Sequence, residues 1–119
     1  MKVVTYVTRV QGKFEELVNN EHGVHVEVLG MGNKWNGYMD KIRGVYEYIE
    51  NLPDEEIVVY LDGFDTLIKR PLDGLEEKFK KLNCGVLISR DMDNGDSVIR
   101  KKFTSDFFGT CHNGITASA

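Results

Sequence analysis

The stretch Ile57-Val58-Val59-Tyr60-Leu61-Asp62-Gly63-Phe64-Asp65-Thr66-Leu67 decides the fold. Five apolar residues run without a break and then meet two carboxylates three positions apart, Asp62 and Asp65. A short β-branched run bounded by a turn is the pattern of a strand covered on both faces, as interior strands of parallel sheets are. Gly63 lets the chain turn sharply as it leaves the sheet. Both aspartates then stand at the carboxyl end of a central strand, where open α/β sheets bind their ligands. Two carboxylates held close repel each other, and a hard divalent cation relieves that repulsion through oxygen ligands. The same spacing equally suits two residues that cap a turn and the next helix, and spacing alone does not choose between the two.

Working outward, the chain before this strand alternates β and α. Val3–Val7 reads as a strand that Thr8 and Arg9 end, and Lys13–Asn19 as a short helix with Phe14, Leu17 and Val18 at helical spacing. Val24, Val26 and Val28 alternate with His25 and Glu27, the pattern of a strand with one wet face near a sheet edge, with His22 and His25 exposed. Gly30-Met31-Gly32-Asn33-Lys34-Trp35-Asn36-Gly37 begins like a dinucleotide fingerprint, but Trp35 stands where the third glycine belongs. A lone loop Trp plugs a small core or offers a flat face to a base, and local context favours the core. Tyr38–Glu50 reads as a helix with Tyr38, Ile42, Val45 and Ile49 along its buried side. Lys41 falls on its first turn, where it opposes the helix dipole, so an anionic ligand competes with plain solvation as its partner.

After the central strand, Asp73-Gly74-Leu75-Glu76 opens a helix as a capping-box variant, with Leu75, Phe79 and Leu82 on its apolar face. Gly85-Val86-Leu87-Ile88-Ser89 reads as a fourth buried strand. The order β-α-β-α-β-α-β implies an α/β fold with a mostly parallel sheet and right-handed crossovers. Residues 90–102 are charged and aperiodic. Asp91-Met92-Asp93-Asn94-Gly95-Asp96 departs from a calcium loop because its glycine comes one place early and Lys102 stands where the closing glutamate belongs.

Length and composition bound the rest. A chain of 119 residues suits one domain. A net charge of −4 with scattered basic residues leaves no footprint for nucleic acid. No apolar run is long enough to span a bilayer, and Met1–Thr5 has no signal-peptide shape. Cys84 and Cys111 make no framework and no metal-ligand pattern, which points to free thiols in a reducing, cytoplasmic setting.

Taken together, the strand, Trp35, a helix carrying Lys41, Leu61-Asp62-Gly63-Phe64-Asp65 and the later Val86-Leu87-Ile88-Ser89 resemble the glycosyltransferase domain of procollagen lysyl hydroxylases and collagen galactosyltransferases. Small stand-alone glycosyltransferases of large DNA viruses are similar. The resemblance covers residues 3 to about 90. It implies a GT-A fold, that is, a Rossmann-type three-layer α/β/α sandwich, here truncated to the N-terminal donor-binding part of a larger domain. It implies transfer of a sugar from a UDP-sugar donor to a glycan or protein acceptor, with Mn²⁺ or Mg²⁺ as cofactor.

The same resemblance gives roles to single residues. Asp62 and Asp65 match the metal-binding aspartates, Phe64 an aromatic on the uracil and Trp35 a second residue of that pocket. Thr8 matches a uridine contact, and Gly63 belongs to the same donor-binding turn. Lys41 matches a lysine near the donor sugar and its phosphates, and Asp91 lies where the family keeps acidic residues, both on the catalytic side. His112 comes too early for the family's late metal-binding histidine. On this view Trp35 and Lys41 leave their local assignments and join one site.

Two other readings remain. An aspartyl-nucleophile phosphohydrolase would use Asp62 and Asp65, but that class keeps its aspartates two apart near the domain start. A non-catalytic UDP-sugar-binding fragment would bind UDP without turnover.

Overall fold

In a computed structural model of the chain, residues 1–88 are described. They form β1 (Lys2–Tyr6), α1 (Phe14–Val18), β2 (Glu27–Leu29), α2 (Met39–Ile49), β3 (Val58–Leu61) and α3 (Leu75–Lys81). The chain divides into two compact units, Met1–Glu76 and Glu77–Ala119. The expectations for Ser89, for loop residues 90–102 with Asp91, and for Cys111 and His112 fall outside the described residues.

The first unit is an α/β structure on an all-parallel sheet in the order β2-β1-β3. Progress across the sheet reverses after β2. Right-handed crossovers in opposite directions send their helices to opposite faces, and side-chain alternation along β1 shows this. Val3 clusters with Leu17 of α1, Val26, Val59, Leu61 and Ile68. Tyr6, three positions on and therefore on the other face, lies under Gly44 of α2. Parallel strands covered on both sides bury their apolar residues on both sides. Accordingly Val3, Val4, Tyr6 and Val7 are all buried.

Helix α2 sits differently from the periodicity argument. Its half-buried residues are Asp40, Lys41, Gly44, Val45 and Tyr48, the last four making an i, i+3, i+4, i+7 stripe. Gly44 has no Cβ, so the helix backbone settles directly on the Tyr6 ring, and the Tyr48 hydroxyl reaches Glu27 at the sheet edge. The expected apolar side keeps only Val45, and Ile42 is 61% exposed. Apolar count misled here because the closest approach is set by the smallest residue rather than the greasiest.

Other boundaries shift for local reasons. β2 begins at Glu27 rather than Val24 because only Glu27, Val28 and Leu29 pair with β1, opposite Val4, Thr5 and Tyr6. His22 is tucked against Glu21 rather than exposed, whereas His25 is exposed. α3 ends at Lys81, and Asn83 adopts a positive φ of 49°. The fourth strand is not formed among the described residues, and Val86 is 75% exposed. Within residues 85–88 no ladder bond supplies what a strand requires. No helix among the described residues is long and apolar enough to cross a membrane.

Candidate functional site

Parallel strands leave their carboxyl ends on one side, and the segments that follow the three strands meet there. Val7 donates to the Leu29 carbonyl at 3.0 Å, and Gly32 donates to the Thr8 carbonyl at 3.1 Å. These two bonds tie the end of β1 to the loop after β2. Gly30 and Gly32 both have positive φ, 77° and 83°, which L-residues with a Cβ rarely adopt. From β3, the turn at Asp62–Asp65 is held against the segment after β1. The Lys13 amide donates to the Phe64 carbonyl at 2.8 Å. Gly12, at φ +57°, presents bare backbone to that same carbonyl. Gly63 is buried, and a Cβ there would run into Val7 and lie 2.8 Å from Thr5 Oγ1. The turn therefore needs glycine for close approach to β1 as well as for its bend.

Asp62 has both carboxylate oxygens engaged. Oδ1 accepts from the Phe64 amide at 3.1 Å and Oδ2 from Lys41 Nζ at 2.6 Å. Asp62 thus does cap its own turn, as one reading of the spacing had it, and pairs with a cation at the same time. Burial pushes its carboxyl up. The Lys41 ammonium and the Phe64 amide outweigh that and hold it below the ordinary 3.8. The pair is partly sheltered, with side chains 18% exposed for Lys41 and 41% for Asp62. A charge-assisted hydrogen bond contributes about 1.5–3 kcal/mol before solvent screening. Even reduced to about 1 kcal/mol, it offsets the roughly 0.3–1 kcal/mol that a lysine loses at a helix N-terminus. Plain solvation of Lys41 is therefore corrected by the structure: the residue lies on the sheet-facing stripe of α2 and reaches across to β3.

Asp65 is exposed and has no hydrogen bond or ion pair to a described residue. Phe64 and Thr8 are half-buried. Trp35 is 43% exposed, which corrects the local expectation that it plugs the core. Its ring meets Tyr38 edge to face at 5.7 Å between centroids. The sequence placed Tyr38 on the apolar side of the helix rather than beside Trp35. It is 76% exposed, and an aromatic three positions beyond a loop Trp was the available signal. Asp40 secures this loop to α2 by accepting from the Asn36 amide at 2.7 Å. A groove of about 700 Å³ lies between β2, this loop and α2. Asn36 and Asp40, the chain neighbours of Trp35 and Lys41, line it, whereas Asp62 and Asp65 do not. Tyr60, next to the aspartate turn, is pushed up to about 12 by burial and by Asp62, so its phenol stays protonated.

A three-stranded parallel sheet flanked by helices is a small Rossmann-like α/β fold, a class that binds its ligands beyond the carboxyl ends of the strands. The comparisons narrow this. The family described as "PLOD GT domain", the glycosyltransferase domain of the procollagen lysyl hydroxylases, matches residues 1–94. The chain belongs to this family. It is 26% identical over 103 residues to a Drosophila melanogaster protein named procollagen-lysine,2-oxoglutarate 5-dioxygenase. That alignment covers 76% of this chain and 14% of the relative, so the chain spans a small part of the relative's length. No solved structure matches it.

Proposed function

We propose that this chain binds a UDP-sugar at the carboxyl ends of β1, β2 and β3 and takes part in transfer of the sugar to a glycan or protein acceptor. The observation that carries the reading is the Lys41–Asp62 pair in a chain of this family, because it sets a cation and a carboxylate side by side at the end of β3. A glycosyl transfer that expels a diphosphate must offset the negative charge developing on the leaving group. Lys41 supplies one positive charge for that purpose.

We propose a divalent cation as a second source of positive charge. Among the described residues no three His, Cys, Asp or Glu side chains gather into a cluster. However, hard ions in nucleotide sites are commonly held by one or two carboxylates with phosphate oxygens and water completing the shell. Asp62 and Asp65 would be those carboxylates. A bound Mn²⁺ or Mg²⁺ would supply Lewis-acid neutralisation of the diphosphate. The remaining residues bind and orient. Trp35, with Tyr38 bracing it at its edge, and Phe64 offer aromatic surface for the uracil. Thr8 and the buried Gly63 shape the backbone beneath the nucleoside. Asp91 is assigned to the catalytic side on resemblance alone.

Calorimetry with UDP, with and without Mn²⁺, followed by a UDP-release assay with a UDP-sugar, tests this reading. The expected result is UDP binding that requires the metal and is lost in Asp65→Ala, by at least the roughly 10–100-fold that loss of a supporting partner costs a metal site. Metal-dependent UDP binding that survives Asp65→Ala would overturn the site. The alternative outcome of the same test is a chain that binds UDP-sugar without turnover. Binding without UDP release would select it.

A further inference from the structure

We infer that Lys41 is a resident counter-ion that occupies Asp62 until a divalent cation displaces it, whereupon the lysine carries its charge to the diphosphate. The inference rests on the proposed role of Asp62 as a metal ligand. Both oxygens of Asp62 are already taken, Oδ1 by the Phe64 amide at 3.1 Å and Oδ2 by Lys41 Nζ at 2.6 Å. The amide belongs to the same tight turn and holds the carboxylate in place. Each oxygen keeps a further lone pair, but a divalent cation on this carboxylate would lie within a few ångströms of the ammonium, and their repulsion favours departure of the lysine. Lys41 is suited to leave. Its stem is flexible, and it springs from the first turn of α2, where the helix dipole disfavours a cation. Asp62 is its one carboxylate partner among the described residues.

Exchange has a thermodynamic consequence. Without nucleotide, each cation that binds sacrifices the lysine pair, and the freed ammonium gains nothing in return. With a diphosphate present, the freed ammonium finds oxygens to pair with. Metal and UDP then bind with positive coupling that passes through one side chain, and each must strengthen the other equally.

The test is Mn²⁺ binding to the full chain and to Lys41→Gln and Lys41→Arg, followed by calorimetry with UDP at saturating Mn²⁺. The expected result is opposite signs. Lys41→Gln tightens Mn²⁺ alone, on the order of ten-fold, the worth of one charge-assisted hydrogen bond, and weakens UDP in the presence of Mn²⁺. Lys41→Arg keeps the wild-type Mn²⁺ affinity. Equal Mn²⁺ affinity in wild type and Lys41→Gln, with binding still lost in Asp62→Asn, overturns the exchange and leaves the metal site standing. Mn²⁺ binding indifferent to Asp62→Asn overturns both. Should Lys41→Gln fail to fold, the ε-carbon and ζ-nitrogen resonances of Lys41 in the wild-type chain decide the matter. They shift on Mg²⁺ addition if the ammonium leaves, and an unmoved signal during Mg²⁺ binding overturns the exchange.

Discussion

Gly44 of α2 rests its bare backbone on the ring of Tyr6, so closely that a Cβ at position 44 would lie 2.5 Å from Tyr6 Cδ2. Tyr6 is buried, and its ring also lies close against Gly30. Ala is better than Gly in a helix by about 1 kcal/mol, but forcing a methyl into a packed contact costs about 1–3 kcal/mol. Gly44→Ala is therefore expected to lower the melting temperature despite the gain in helix propensity. In a Tyr6→Leu background the same substitution should lose most of its cost, since sites in contact couple. A double-mutant cycle by thermal melts checks both statements.

Thr5 is fully buried between β2 and β3, and its hydroxyl has no hydrogen-bond partner among the described residues. A buried, unsatisfied polar group costs on the order of 1–3 kcal/mol, and Val matches Thr in shape and suits a strand. Thr5→Val is expected to stabilise the fold by about 1 kcal/mol, read as a raised denaturation midpoint with an unchanged slope.

The depressed carboxyl of Asp62 predicts a direction with pH. A group whose folded pKa lies below its unfolded one contributes fully above the unfolded value and loses its contribution as pH falls through the folded value. Wild type should therefore exceed Asp62→Asn in melting temperature by a constant margin at neutral pH. That margin should shrink as pH drops below 3.8. The margin is small because the pair is partly in solvent. A margin that grows on acidification would contradict the Lys41–Asp62 assignment.

Trp35 is 43% exposed and braced chiefly by Tyr38. Trp35→Ala should leave the melting temperature nearly unchanged while weakening UDP by about 1–3 kcal/mol, the usual worth of a base stacked on an aromatic. Loss of folding without loss of UDP affinity would return Trp35 to a purely structural role.

The alternation of β and α and the carboxylates at the end of the third strand were legible in the sequence because each is written in consecutive residues. So was the family, through Trp35, Lys41 and Asp62–Asp65 at their intervals. The central place expected for that third strand is corrected: among the described residues the order β2-β1-β3 puts β1 in the middle and β3 at the edge, with Tyr60 exposed. What was not legible depends on distance across space. The seating of α2 follows from a glycine meeting a tyrosine thirty-eight positions earlier, 44 against 6, and no local period encodes that. The pairing of Lys41 with Asp62 was not legible because the two are 21 residues apart. Residues 85–88 read as a buried strand from composition, but a strand also needs a neighbour, and among the described residues they pair with none.

The bond from Lys13 to the Phe64 carbonyl and the bare Gly12 against it have a thermodynamic reach beyond the turn itself. A recognition loop that is loose before its ligand arrives must give up entropy at the moment of association. Here that loss is incurred when the domain folds, so the nucleotide of the proposed function would meet a surface already set. Weakening this strap should therefore show first as a lower affinity, well before the fold itself gives way.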